Sequence, residues 1–195
     1  MPTAKEKLLR AAVEVFSEKG YSGASTREIA RRARVNPVTL FRTFNSKEKL
    51  HAAAVSYVMD RIAIRKQIDR LAQRERHASR FIAGVMKTLV ETMLGMPEFQ
   101  RLIMFSALEK SDVAFDAVWN RLMPIFENVR GHISRFVAKG ELRKKDPLVI
   151  TRLIFAAAVF HYQLYELYGG KDVPEFSPVD LSDRYAEILS NGLIP

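Results

Sequence analysis

Cysteine is absent from this 195-residue chain, which excludes disulfide frameworks, Cys-based zinc sites, iron–sulfur clusters and thiol nucleophiles together. Glycine (9) and proline (8) are scarce, whereas strand-rich folds spend both on frequent turns. Composition alone favours a helical protein. No unbroken apolar run exceeds the eight residues Leu153 to Phe160, against about 20 needed to span a bilayer. The opening stretch M-P-T-A-K-E-K-L-L-R has no apolar core of a signal peptide. We expect a soluble, cytoplasmic protein without a membrane partner. The four histidines (His51, His77, His132, His161) show no H-x-x-x-H spacing, so neither a metal nor a cofactor is expected. Gly20-Tyr21-Ser22-Gly23 only faintly suggests a nucleophile elbow: G-x-S-x-G needs another Gly where Ala24 stands, and it needs a preceding strand. No enzyme is expected.

What the chain does hold is positive charge, unevenly placed. The net charge is +9. Residues 1–50 carry eleven Lys/Arg against five Asp/Glu, while the remaining 145 residues carry twenty against seventeen. A field concentrated in one quarter of the chain suits a surface that meets polyanions.

Helix-start signals crowd the same quarter. Thr3-x-x-Glu6 is a capping box, followed at helical spacing by Leu9, Ala12, Val13 and Phe16, with Lys19-Gly20 as the stop. Ser25-x-x-Glu28 opens a second helix reaching about Ala33. Asn36-Pro37 opens a third, an N-cap followed by proline where a missing amide costs nothing. Its buried side is read as Leu40, Phe41 and Phe44. Asn45-x-x-Glu48 is read as the start of a fourth. Two short helices joined by about three residues make a helix-turn-helix. Beyond residue 60, Arg61 to Arg80 reads as a charged connection. Helices are expected at Phe81–Leu94, Pro97–Glu109, Asp112–Gly140 with Pro124 as a kink or break, Leu148–Tyr168, and Asp180–Asn191, with a loop at 171–178.

The run from Ala12 through S-T-R-E-I-A-R-R-A-R-V-N-P-V-T-L-F-R-T-F-N-S-K-E-K-L resembles the DNA-binding domain of the TetR family of transcriptional regulators. Gly140-Glu141-Leu142-Arg143 with Asp146-Pro147 is similar to the turn before that family's dimerising helices. The resemblance implies an all-α protein: a helix-turn-helix DNA-binding domain at 1–50 and a larger helical effector-binding and dimerisation domain at 51–195. It further implies a repressor that binds a palindromic operator in double-stranded DNA as a homodimer through 147–168 and 180–192, released by a small, largely apolar effector.

By the same resemblance the DNA-facing set is Thr26, Arg27, Asn36, Pro37, Val38, Thr39, Phe41, Arg42 and Lys47. Arg42 suits a guanine edge or a phosphate, and Val38 and the Thr39 methyl suit a thymine methyl. Lys47, near a helix N-terminus, suits a phosphate. Three positions depart from the family: Arg34 replaces a turn Gly, Val38 replaces a Gly, and Phe41 replaces a Tyr and lacks its hydroxyl. Trp119, Met123, Phe126 and His161 are the expected effector-pocket residues, His161 as the polar handle. Two alternatives stand beside this reading: a helical interaction module whose basic patch meets an acidic surface, and a constitutive DNA-binding protein without an effector.

Overall fold

The computed structural model describes residues 1–61, 63–109, 112–168, 170 and 178–193. All the regular structure among them is helical: α1 (Ala4–Gly23), α2 (Thr26–Ala33), α3 (Pro37–Phe44), α4 (Lys47–Met59), α5 (Ile64–Arg74), α6 (Ala78–Leu94), α7 (Pro97–Leu108), α8 (Asp112–Ala138), α9 (Pro147–Leu167) and α10 (Pro178–Leu193). They form two compact units, residues 1–62 with 96–122, and residues 63–95 with 123–195. The expected division at residue 50 concerns function. Packing divides the chain otherwise, because α7 and the start of α8 belong with the first four helices.

In the first unit, α1 packs against α2, α4 and α7. Leu8, Ala12 and Phe16 of α1 meet Ile29 and Ala30, Leu40, Leu50 and Ala54, and Leu102 in one core, each of these side chains fully enclosed. Burying a large apolar side chain contributes roughly 1.5–3 kcal/mol, so these short helices owe their persistence to the shared core. In the second unit α6 is central, packing against α5, α9 and α10. Phe81, Ile82, Val85 and Met86 form its buried stripe. Gly84 lets α5 approach closely, since a Cβ there would stand 2.6 Å from Leu71 Cδ1.

Several expectations need correction. Residues 61–80 are not merely a connection. Ile64 and Ile68, four apart, are buried and organise α5, and α6 begins at Ala78. The stop at Gly20 is a kink: φ 69° and ψ −179° interrupt α1, and another turn follows to Gly23. Helix α4 is capped by Ser46, whose hydroxyl accepts from Lys49 N–H at 3.1 Å. Asn45 instead ends α3 at φ 63°. Helix α8 continues past Pro124, so the proline does not break it. The expected loop at 171–177 lies outside the described residues.

Candidate nucleic-acid interface

The geometry of α2 and α3 is set by local chemistry. The Ser25 hydroxyl accepts from Glu28 N–H at 3.1 Å. The Asn36 side chain accepts from Val38 N–H at 2.8 Å, and Pro37 occupies the first turn. Between the helices the chain reverses at Arg34 (φ 54°, ψ 46°), with Val35 N–H bonded to Ala30 C=O at 3.0 Å and Arg34 N–H to Arg31 C=O at 3.1 Å. This is a Schellman-type ending made by arginine where glycine is usual.

Leu40 and Phe44 hold α3 to the core, and its other face is open. Val38 is 72% exposed and Phe41 48% exposed, so Phe41 does not belong to the buried side assigned to it from the sequence. Asn36, Pro37 and Arg42 are exposed and Thr39 is half-buried. At the start of α2, Arg27 is exposed and Thr26 half-buried. The candidates on α2, α3 and the turn between them are thus exposed or half-buried, whereas Ile29, Ala30, Leu40 and Phe44 of the same helices are buried.

The cations divide into two groups. Arg32 is spent inside the unit, its guanidinium forking onto Glu18 at 2.7 and 2.9 Å and reaching Glu28 at 3.3 Å. Lys19 is paired with Glu28 at 2.8 Å, and hydrogen bonding to that ammonium holds the Glu28 carboxyl below its usual range. Among the described residues, Arg27, Arg31, Arg34 and Arg42 carry no such pairing. Their charge stays available to phosphate.

Lys47 is held against neighbouring groups. It opens α4, yet its Nζ lies 3.5 Å from Ser22 C=O and 4.4 Å over the Tyr21 ring. Burial lowers its pKa, opposed by Glu109.

Glu109, just past α7, escaped the sequence reading. Its carboxylate accepts from Tyr21 N–H at 2.5 Å and Ser22 N–H at 3.0 Å. Burial raises its pKa, but these backbone donors outweigh that and the net shift is downward. The clasp fits only because Gly20 lacks a side chain: a Cβ would lie 3.0 Å from Glu109 Oε1 and from Phe105 Cδ1. At φ 69° and ψ −179° that backbone is also nearly restricted to glycine. Glu109 thus fixes the short segment leading to Ser25 and α2. With the partners 88 positions apart, no local pattern reveals the contact.

His51, on α4, is fully buried beside Phe16 and Tyr21. The Ser106 hydroxyl donates to Leu102 C=O at 2.7 Å. Its oxygen therefore accepts from His51 Nε2–H at 3.2 Å, leaving Nδ1 enclosed without a partner. Burial lowers the His51 pKa to about 4. This histidine is a neutral part of the core.

The four expected effector residues are not brought together as one described site. Trp119, half exposed, belongs to the first unit. In the second, Phe126 packs on Phe155 with ring centroids 5.3 Å apart, Met123 is half-buried, and buried His161 lies edge-on to Tyr185 at 5.7 Å. Two pockets lined by described residues contain none of the four. No metal-binding cluster occurs among the described residues.

A capped three-helix unit with an open, cationic α3 defines a helix-turn-helix DNA-binding protein. Comparison with known proteins agrees. Residues 8–54 match the family of bacterial regulatory proteins, tetR family. The HTH-type transcriptional regulator RutR of Escherichia coli K12 is 26% identical over 163 residues, covering 81% of this chain and 73% of that protein. The HTH-type transcriptional repressor Rv3405c of Mycobacterium tuberculosis is 37% identical over 62 residues, 30% of this chain and 33% of the other. The fold is similar to that of Bacillus subtilis FadR, solved with stearoyl-CoA (TM-score 0.77, 20% identity, 95% and 97% of the two chains covered). It is also similar to Thermus thermophilus PfmR (TM-score 0.75, 16% identity, 94% and 97%). Residues 8–54 are thus a DNA-binding domain of the tetR type, and the chain is similar over most of its length to transcriptional regulators that carry it.

Proposed function

We propose that the protein is a homodimeric, cytoplasmic repressor. Residues 1–50 read a palindromic operator, and the rest dimerises and senses a small, largely apolar effector. The observation that carries the DNA half of the reading is the open face of α3, where Val38 and Arg42 project beside unpaired Arg27 and Arg34. Val38, Thr39 and Arg42 take the base edges, while Thr26, Arg27, Asn36, Pro37, Phe41 and Lys47 position the unit on the backbone.

The dimer reading rests on α9. Ile150, Ile154, Ala158 and Tyr162 are buried along one face. Val149, Leu153, Ala156 and Phe160 form an exposed apolar stripe on another, with the alternating four- and three-residue spacing of a helix-pairing seam. By length and composition, residues 147–166 are also apolar enough to cross a membrane (mean hydropathy 1.4). The buried face and Arg152 favour a protein partner. Ile188 of α10 is likewise 69% exposed. A second copy would cover both helices about a two-fold axis, the symmetry a palindrome demands.

Effector release follows as a population shift in which ligand favours a dimer whose α3 helices no longer match successive major grooves. The second unit is the proposed seat. Support comes from the ligand named for FadR and from the aromatic and Met side chains at Met123, Phe126 and His161.

Binding to an operator selected from random duplex tests the reading. Arg42→Ala should weaken the selected operator by about 1–3 kcal/mol and relax preference at one base pair. Lys47→Ala should weaken all sequences alike and reduce the salt slope by about one unit. Unchanged binding in both variants would refute the interface. Light scattering should give about 44 kDa, twice the 22.2 kDa chain, and Leu153→Glu should give folded monomers with weakened operator binding. A wild-type monomer at micromolar concentration would refute the dimer.

A further inference from the structure

In the second unit the end of α5 and the last two turns of α8 enclose a pocket of about 100 Å³, lined by Ala72, Glu75, Arg76, His132, Arg135, Phe136 and Lys139. From this geometry we infer a binding site for a small oxyanion, a phosphate group either free or borne by a larger molecule.

Three cations converge there from two segments. His132, Arg135, Phe136 and Lys139 follow the i, i+3, i+4, i+7 spacing that puts them on one face of α8. Arg76 comes from the segment after α5. Among the described residues, none of Arg76, Arg135 and Lys139 has a carboxylate partner. The two nearby carboxylates are already engaged. Glu75 pairs with Arg74 Nε at 2.8 Å. Asp69 accepts from Asn128 Nδ2 at 2.8 Å and stands 3.7 Å from His132 Nε2.

The exposed Arg135 guanidinium lies against His132 Nδ1. Burial and then Arg135 itself hold the His132 pKa below its usual value, against the opposing pull of Asp69. The half-buried imidazole serves as a wall. Phe136, buried and packed on Phe81 with ring centroids 5.5 Å apart, supplies the floor.

The dipole of α8 accounts for cations in its last turn, but not for Arg76 reaching the same hollow from another segment. Like charges gathered without a counterion repel, and a planar guanidinium beside an ammonium matches an oxyanion's acceptors. The size limits the occupant. Pockets for whole drug-sized ligands run to about 300–1,000 Å³, whereas this one admits a single tetrahedral group. Extended DNA would instead follow an open row of cations, such as Arg65, Lys66 and Arg70 on exposed α5. The site is independent of the operator reading, which rests on the first unit.

Calorimetric titration of the full chain with inorganic phosphate and with ADP, at constant ionic strength, tests it. Both should bind saturably. Equal affinity identifies the free anion as sufficient, and tighter ADP binding identifies a phosphate borne by a larger molecule. Arg135→Ala with Lys139→Ala should weaken binding at least about tenfold, and the corresponding pair of Gln substitutions should do the same. Lys66→Ala with Arg70→Ala should change it less than about twofold. All four side chains are exposed, and circular dichroism checks that the variants fold. Absence of saturable binding up to about 10 mM, equal losses from the two pairs, or loss confined to non-specific duplex DNA would overturn the proposal. Retained operator binding in the pocket variants separates its failure from that of the operator reading.

Discussion

Helices α1 to α4 each begin with a side-chain cap, from Thr3, Ser25, Asn36 and Ser46, whereas α5 and α6 begin at Ala63 and His77 without one. The first group can announce its boundaries within four residues of sequence, because the groups that satisfy the free amides are local. The second group depends on distant partners. The N-terminus of α6, for example, has its Ala78 N–H bonded to Glu141 at 3.2 Å, 63 residues away. Local chemistry defines where α1 to α4 start, and a distant partner supports the start of α6, although α9 in the same unit is again capped locally, by Asp146.

That contrast has a limit inside the first unit, and the largest predicted effect probes it. Well-capped α4 still relies on α7 through His51 and Ser106. With a folded pKa of about 4 against the ordinary value of 6.5, His51 binds fewer protons folded than unfolded at intermediate pH. Its contribution is complete above the unfolded value, declines as pH falls below about 6.5, and is lost as pH reaches the folded value. The total is on the order of 3 kcal/mol. His51→Gln keeps a donor toward Ser106 and does not titrate. Urea unfolding at pH 7.5 and near pH 4 should therefore show wild type losing most of that energy relative to the variant. Parallel pH profiles would mean that the enclosed Nδ1 is not what couples the two helices.

The cap series tests the contrast directly, with smaller effects. Ser25→Ala, Asn36→Ala and Ser46→Ala should each cost about 1 kcal/mol (range ~0.5–2). His77→Ala should stay within about 0.5 kcal/mol, because its side chain caps nothing. Equal costs at all four positions in denaturant unfolding would abolish the distinction. The same distinction explains what the sequence made legible. Ser25 and Asn36 were readable as N-caps, Pro37 as a first-turn proline, and Leu40 and Phe44 as an inner face four residues apart. The cap of α4 was misplaced by one residue because Asn45 and Ser46 carry the same chemistry. Helix α5 was missed because its only buried signals at the 64–68 spacing, Ile64 and Ile68, sit among cations that resemble a linker. The open side of α3 was legible except at Phe41, since spacing cannot tell whether a bordering aromatic is covered. Glu109 is illegible as a site residue because its partners Tyr21 and Ser22 lie far away in the chain, and Arg76 is illegible because it meets the residues of α8 only in the folded unit.

The smallest effect concerns Arg34, where local conformation and the proposed DNA contact favour opposite residues. A non-glycine residue in the left-handed region costs roughly 1–2 kcal/mol, and Arg34 is held there at φ 54° by the bonds that end α2. Arg34→Gly should remove that strain. Glycine also adds disorder to the unfolded chain, offsetting the gain by about 0.4–1 kcal/mol. The net change should be a stabilisation below about 1 kcal/mol, seen as a rise in Tm of a few degrees. DNA binding should move the other way. Arg34 is exposed beside α3 and among the described residues has no carboxylate partner, so losing it should flatten the salt dependence by about 0.9 unit and weaken all duplex sequences alike. A more stable protein with weaker, less salt-sensitive binding would show that the arginine is kept for phosphate at the expense of the turn. A stabilised protein with unchanged binding would mean that Arg34 is merely tolerated there, leaving Arg27 and Arg42 as the cations that matter.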